Sequence, residues 1–281
     1  MPPIPPRHRT LAALAAVAAL IAAGLATARW LPLRPPEEIR TLETVLRRLS
    51  QSNDLGDQPL HVMVSSGSYA ALLATQRGLC KPEQCDMFAQ LNPYRRYGNG
   101  WDELIRQSHA VGDIEAWSTS SGTVVISRAT FRAYGTHSGY LACTVAHEIA
   151  HIRRHHIFQQ SYHLNHNLRG QSEAARTLAD RKRSREQELE ADRDAATMLA
   201  RAGYQGRVCQ QDLVFMARSV GDGSSTEDDS THPGYDDRLA AMRAHYAALE
   251  KEPPAAQAGP AASTRYNRTE NLLTLRPQPR Q

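Results

Sequence analysis

The feature that most constrains the fold is a helical stretch from near Gly139 to about Phe158, which is apolar around one cluster of ionisable groups. Its apolar pattern predicts a buried helix, and Ser138 is expected to cap it. Within the stretch, His147 and His151 are four residues apart, so both imidazoles lie on one helix face. Burying two imidazoles and the carboxylate of Glu148 is costly unless these groups have partners. We therefore expect these groups to be partnered in the folded protein.

The H-E-x-x-H pattern at His147, Glu148 and His151 has a definite chemical use. Two imidazoles one turn apart can bind a single zinc ion. Glu148 is rotated by about 100° from His147, so it can reach a water molecule that the ion activates without binding the ion itself. The pattern predicts hydrolytic machinery with Glu148 as the general base. A match also arises by chance in a chain with 12 histidines, so a third ligand is the deciding feature.

The third ligand is expected from the long polar helix predicted between Glu173 and Ala202. Glu188 and Glu190 lie on different faces of this predicted helix. The face of Glu188 is small and apolar apart from one further acid, with Ala191, Asp192, Ala195 and Leu199. The face of Glu190 is polar, with Arg193, Asp194, Thr197 and Arg201. We predict that Glu188 binds the metal and that Glu190 faces solvent.

Other ionisable groups are expected to support the ligands. Asp192 can accept a hydrogen bond from a ligand histidine and fix its tautomer. The alternative for this carboxylate is a salt bridge with Arg185 or Arg193. His155 and His156 follow the motif, but a straight helix carries three consecutive turns past one ion poorly. We therefore expect both histidines behind the ligands or at the surface.

Three motifs together resemble the HtpX-like and CAAX prenyl endopeptidase family of zinc metallopeptidases: His147-Glu148-x-x-His151, then Glu188-x-x-Ala191-Asp192, then Thr231-His232-Pro233 with Arg238. The resemblance covers roughly residues 60 to 250 and suggests a single-anchor or periplasmic bacterial member. The mix of helices with a few strands suggests an α+β domain. The resemblance implies a mostly helical zincin-like domain with a small sheet, one zinc ion per chain and endopeptidase action. It also implies that His232 lies near the metal, where it stabilises an oxyanion or plugs the site, with Arg238 in a supporting role.

The region before the motif departs from that family. Leu60 to Ser65 and Gly122 to Ser127 read as strands, and the second resembles the edge strand that precedes the family's active helix. The family's asparagine-alanine-phenylalanine signature is replaced by residues Ile114 to Ser118. Residues 76–109 are rich in turn formers, which predicts a surface insertion that is not expected in the family's common core.

The two ends of the chain differ from the central part in composition. Residues 1–36 contain Arg7 and Arg9, then an apolar run from Leu11 to Ala28 that reads as a cleaved signal peptide or as a membrane anchor. Both alternatives predict the bacterial cell envelope, either the periplasm or the periplasmic side of the inner membrane. Residues 37–250 are expected to form the metallopeptidase domain. Residues 251–281 are rich in proline, alanine, glutamine and arginine, which predicts a disordered tail.

The four cysteines agree with an exported protein. Cys80 and Cys85 are close enough to form a local disulfide, and a zinc knuckle is the alternative. Cys143 and Cys209 either bridge two helices or are buried thiols. The basic run from Arg181 to Arg185 is followed by acidic residues, so we read it as a solvated helix face and expect no nucleic-acid partner.

These observations favour a zinc endopeptidase that acts on protein or peptide substrates, in particular misfolded or membrane-associated envelope proteins. The alternative is a latent-site, chaperone-like assembly factor in which His232 occludes the zinc. A fourth ligand of this kind would fill the open position that catalysis requires. A third interpretation is hydrolysis of another amide, such as peptidoglycan, although the sequence contains no recognisable cell-wall-binding module.

Overall fold

The computed structural model describes residues 34–98, 100–220, 223–257 and 259–278. Internal contacts separate Met1–Pro35 from Pro36–Gln281, and the description below concerns the second unit. The predicted signal or anchor segment, residues 11–28, lies outside the described residues. Within the described ranges, no helix combines the length and the apolar character that crossing a membrane requires.

The N-terminal half of the described chain alternates helices with three strands. Its first helix, α1, is amphipathic and buries Ile39, Leu42, Val45, Leu46 and Leu49. The elements of this half are α1 (Glu37–Ser52), β1 (Leu60–Ser65), α2 (Ser68–Gln76), α3 (Asp86–Ala89), α4 (Trp101–Val111), β2 (Ala116–Ser118), β3 (Thr123–Ser127) and α5 (Arg128–Tyr134).

The C-terminal half is helical and ends in a hairpin. Its elements are α6 (Ser138–Arg153), α7 (His156–Tyr162), α8 (Glu173–Arg201), α9 (Val208–Val220), α10 (Tyr235–Lys251), β4 (Ala262–Asn267) and β5 (Leu272–Pro277). A short π-helical turn, His163–Asn167, follows α7. The mostly helical α+β class predicted from the sequence is confirmed.

The five strands form one mixed sheet in the order β2-β3-β1-β5-β4. Strands β1 and β3 are parallel, and the other three pairings are antiparallel. The short strand β2 therefore lies at one edge of the sheet, while β3 lies inside it. The prediction that Gly122 to Ser127 forms the edge strand is wrong, because β2 covers that strand on its outer side.

The predicted disordered tail, residues 251–281, is also wrong for most of its length. Strands β4 and β5 form a hairpin there, and β5 pairs with β1. Leu273 and Leu275 are buried in the core, and Asn271 Nδ2 donates a 2.6 Å hydrogen bond to the carbonyl oxygen of Val64. The alternation Leu-Leu-Thr-Leu-Arg supplies the apolar face, a signal that the overall polar composition conceals.

Residues 76–109 form more structure than a surface loop. Helix α4 and the short helix α3 pack with α2 around a small second core of Ala70, Ala74, Cys85, Phe88 and Leu104. Phe88 and Trp101 stack with ring centroids 4.6 Å apart. The predicted disulfide between Cys80 and Cys85 is present. The region is thus a small folded unit beside the main core.

The helix with the H-E-x-x-H pattern is held from two sides. Helix α8 packs against α6 through small buried residues, of which Ala191 and Ala195 are fully buried. A disulfide between Cys143 and Cys209 joins α6 to α9, which settles the alternative left open by the sequence. Helix α6 ends at Arg153, shorter than predicted, because His155 adopts a left-handed conformation with φ 54°.

Candidate active site

Three side chains from α6 and α8 converge on one point. His147 Nε2 and His151 Nε2 are 3.1 Å apart. Glu188 places Oε2 3.4 Å from His147 Nε2 and Oε1 3.3 Å from His151 Nε2. A tetrahedral zinc ion with bonds of about 2.0–2.1 Å keeps its ligand atoms about 3.3 Å apart. The spacing and the chemistry of these donors therefore fit such an ion.

The imidazole of His147 is held by a carboxylate on its far side. Asp192 Oδ1 lies 3.0 Å from His147 Nδ1, so Nδ1–H donates and Nε2 is left as the atom that faces the cluster. Arg238 donates to Asp192 through Nε at 2.8 Å and through Nη2 at 2.7 Å. The structure thus pairs Asp192 with His147 and Arg238, whereas the alternative from the sequence named Arg185 or Arg193.

These contacts shift the pKa values of His147 and Glu188. Burial alone would lower the pKa of His147, but hydrogen bonds to Asp192 and Glu188 raise it to about 10. Burial opposes ionisation of Glu188, yet its two histidine partners hold the pKa well below its usual range. Because a metal ion binds the neutral imidazole, its binding to His147 would release a proton.

His151 is supported by a different pair of residues. His156 Nδ1 lies 2.9 Å from His151 Nδ1, and His156 Nε2 lies 3.2 Å from Glu190 Oε2. When Glu190 accepts from His156 Nε2–H, the neutral His156 accepts at Nδ1 from His151. That tautomer leaves the lone pair of His151 Nε2 directed into the cluster.

The assignment of Glu190 to a solvent face is therefore incomplete. Its carboxylate is only partly exposed, and it also lies 3.5 Å from Arg154 Nη1. His156 is buried, with 2% of its surface exposed, whereas its neighbour His155 is exposed. The left-handed residue that ends α6 redirects the chain, which brings His156 behind His151. No helical periodicity predicts such a turn.

Glu148 lies where a base would be needed. It is buried and lines a cavity of about 150 Å³ that also touches His147 and Glu188. A larger groove of about 540 Å³ lies elsewhere, between α7 and α8, and contains none of these three residues. The smaller cavity is therefore the one that combines a metal-binding cluster with a carboxylate next to it.

His232 stands beside the cluster and not within it. Its Nε2 is 3.7 Å from Glu188 Oε2, and 62% of its side chain is exposed. Arg185 holds the preceding loop by donating from Nη1 to the carbonyl oxygens of Asp228 and Ser230, at 2.8 and 2.9 Å. His232 also belongs to the lining of the cavity that contains Glu148.

Asp212, on α9, is a cavity residue that the sequence reasoning missed. Only 2% of its surface is exposed, and its carboxyl group lines the same cavity as Glu148. Burial raises its pKa to about 7, against the effects of the Tyr134 hydroxyl and the charge of Arg238. The single acid inside the apolar helical pattern Val208 to Val220 was the signal that could have revealed it.

Comparison with known proteins agrees with this geometry. The family model of peptidase family M48 matches residues 103–246, slightly more than half of the 281 residues. The chain belongs to peptidase family M48. Membership makes the protein a metallopeptidase, and the matched span contains the whole cluster described above. No curated protein and no solved structure matches the chain.

Proposed function

We propose that this M48 peptidase is a zinc-dependent endopeptidase whose metal is held by His147, His151 and Glu188. The observation that supports this most strongly is the set of three donor distances between 3.1 and 3.4 Å. Two imidazole nitrogens and one carboxylate are a ligand set that catalytic zinc sites use, with a fourth position left for water or substrate.

In this proposal each side chain has a distinct task. Zinc bound by the cluster would supply a Lewis acid that polarises the peptide carbonyl and lowers the pKa of a water molecule. Glu148 takes the proton from the attacking water and delivers it to the leaving amine. Asp192 and His156 fix the ligand tautomers, and Arg238 holds Asp192 in place. His232 donates a hydrogen bond to the developing oxyanion.

The edge strand supports a protein substrate in extended form. Strand β2 leaves one side of its backbone without a strand partner among the described residues, and Ala116 of this strand lines the cavity. An extended peptide can pair with such an edge. This recognition requires an unfolded segment, which agrees with misfolded or membrane-associated envelope proteins as substrates. The HtpX-like resemblance and the apolar run from Leu11 to Ala28 also support a location in the bacterial cell envelope.

The test compares proteolysis of a permanently unfolded protein by the wild type, Glu148→Gln and Glu186→Gln, each loaded with zinc. Glu186 lies on α8 with half of its side chain exposed, so the same substitution there is a matched control. We expect Glu148→Gln to bind zinc but to lose at least 10²-fold in kcat/KM, and Glu186→Gln to resemble the wild type. Full activity of Glu148→Gln would rule out the assigned base.

A latent site is the second candidate, and the contact between His232 and Glu188 favours it. A small movement of His232 would place its Nε2 among the ligands and block the fourth position. X-ray absorption at the zinc edge would then show a third imidazole. In that case His232→Ala would leave the protein inactive, whereas the peptidase proposal predicts reduced but measurable cleavage.

A further inference from the structure

The cavity beside the metal-binding cluster is lined by both apolar and ionisable residues. The apolar residues come from the edge region, α9 and α10: Ile114, Ala116, Leu213, Met216 and Met242. Most of the rest of the lining is polar: besides the residues of the metal-binding cluster and the Asp192–Arg238 pair, it includes the buried Asp212 on α9. The cavity therefore combines apolar side chains with an acid, Asp212, to which the proposed metal chemistry gives no task.

The acid has an unused acceptor. Among the described residues, none hydrogen-bonds to Asp212 Oδ1, although this atom is buried. An unsatisfied buried acceptor of this kind costs free energy that a bound donor recovers. Burial has raised the pKa of this carboxyl to about 7, so a cationic partner would also return it to its ionised form.

Two cationic groups act on Asp212, namely Arg238 and His147, and both pair with Asp192. Both donating nitrogens of Arg238 bond to the carboxylate of Asp192. The Tyr134 hydroxyl favours the ionised form of Asp212, and it lies 2.9 Å from Thr144 Oγ1, which also lines the cavity. A positive group that entered the cavity would meet the Asp212 carboxyl, whose Oδ1 accepts no hydrogen bond from the described residues.

The volume limits what can enter. A cavity of about 150 Å³ accommodates a group about the size of benzene. The side chain of lysine has about this size. Its apolar stem can contact the apolar residues of the cavity, and its ammonium group can pair with Asp212. An isosteric apolar chain would fill the cavity but leave Asp212 unpaired, and sites of this design discriminate strongly against such analogues.

We propose that Asp212 is a specificity-determining residue and that this cavity receives a lysine side chain from one of the two residues that flank the scissile bond. The inference rests on the proposed peptidase function, because the cavity shares His147, Glu148 and Glu188 with the metal site. Asp212 binds the ammonium group, while α9 and α10 contact the stem. The Cys143–Cys209 disulfide keeps α9 at a fixed distance from the metal ligands on α6.

The first test measures binding without catalysis. n-Butylammonium reproduces the lysine side chain, and 1-butanol is its neutral counterpart; both are titrated into zinc-loaded protein and followed by NMR. We expect n-butylammonium to bind the wild type more tightly than 1-butanol. We expect Asp212→Asn to weaken n-butylammonium binding on the order of tenfold to a hundredfold. Equal affinity of n-butylammonium for both proteins would overturn the proposal.

The second test maps cleavage sites in an unfolded protein by mass spectrometry. The wild type is compared with Asp212→Asn and with Asp236→Asn, a matched substitution at an exposed position in the first turn of α10. Support requires lysine enrichment at one flanking position in the wild type and Asp236→Asn, and its loss in Asp212→Asn. An unchanged lysine preference in Asp212→Asn contradicts the proposal.

The two tests distinguish a failure of the proposed peptidase function from a failure of the proposed lysine recognition by Asp212. If zinc-loaded wild type cleaves nothing, the peptidase function fails, and selective binding of n-butylammonium still decides the ligand of the cavity. If cleavage occurs without a lysine preference, the function stands and the role of Asp212 fails. If Asp212→Asn does not fold, the wild-type preference for n-butylammonium over 1-butanol decides the question.

Discussion

His156 Nδ1 stands 2.9 Å from His151 Nδ1, on the side of that imidazole that faces away from the metal-binding cluster. The contact depends on the left-handed backbone of His155, which ends α6 and turns the chain back. A residue outside the H-E-x-x-H motif thereby controls the tautomer of a ligand inside it. His156 thus supports the ligand His151 from outside the metal-binding cluster.

Removing this support should weaken zinc binding. We expect His156→Ala to lower zinc affinity about 10–100-fold, because outer partners of ligand histidines contribute that much. His156→Gln, which keeps an acceptor, should recover part of the loss. His155→Ala at the exposed neighbour is the control. Competition with a zinc chelator measures all three, and equal affinity of His156→Ala and wild type would show that His151 needs no partner.

The Asp192–Arg238 pair should control stability as well as the metal site. Both side chains are buried, so Arg238→Met leaves an unpaired carboxylate in the core. We expect the zinc-free protein to lose about 3–5 kcal/mol of unfolding free energy, measured with urea. Adding Asp192→Leu to that variant should restore part of it. A double variant that is no more stable than Arg238→Met alone would contradict the unpaired charge as the cause.

The C-terminal hairpin gives a direct test of the corrected tail. Leu273 is 1% exposed and lies on the face of β5 that meets the core. We expect Leu273→Ala to cost about 2–5 kcal/mol, whereas Arg276→Ala at an exposed position of β5 should change stability little. Urea unfolding compares the two variants with the wild type. Equal stability of all three would mean that the tail does not pack as described.

Asp212 predicts a specific dependence of stability on pH. Its folded pKa of about 7 exceeds the ordinary value of 3.8, so the folded state holds a proton that the unfolded state has released. Its stability contribution is complete below about pH 4 and is lost as the pH rises to about 7. Tyr134, Asp192, His147 and Arg238 face this carboxyl and contribute to its pKa.

The measurement compares Asp212→Asn with the wild type, both free of zinc. Asparagine cannot ionise, so the variant should gain stability relative to the wild type between pH 4 and 7, by on the order of 4 kcal/mol. The difference should then stay constant above pH 7. A stability difference that does not change with pH would show that Asp212 has an ordinary pKa.

Much of the fold and of the site could be predicted because the spacing of apolar residues along a helix indicates which of its faces is buried. The faces of α8 separated Glu188 from Glu190, and the structure places Glu188 in the cluster with His147 and His151. The helix predicted between Glu173 and Ala202 ends at Arg201, within one residue of the predicted bound. These features depend on local pattern, which a sequence contains directly.

Other features depend on contacts that no local pattern contains. The hairpin of β4 and β5 is set by pairing with β1, some 210 residues earlier in the chain. The partner of Asp192 is Arg238 on another helix, and local spacing had suggested nearer arginines. Asp212 reaches the cavity only because α9 packs beside α6. Long-range packing decides each of these, so sequence periodicity alone could not predict them.

The central claim is that α6 and α8 form one zinc site, and zinc stoichiometry in variants of α8 tests it most directly. Native mass spectrometry of the wild type, Glu188→Gln and Glu186→Gln at limiting free zinc gives the number of bound ions. We predict one ion in the wild type and in Glu186→Gln, and none in Glu188→Gln at the same free zinc. One tightly bound ion in Glu188→Gln would contradict the site.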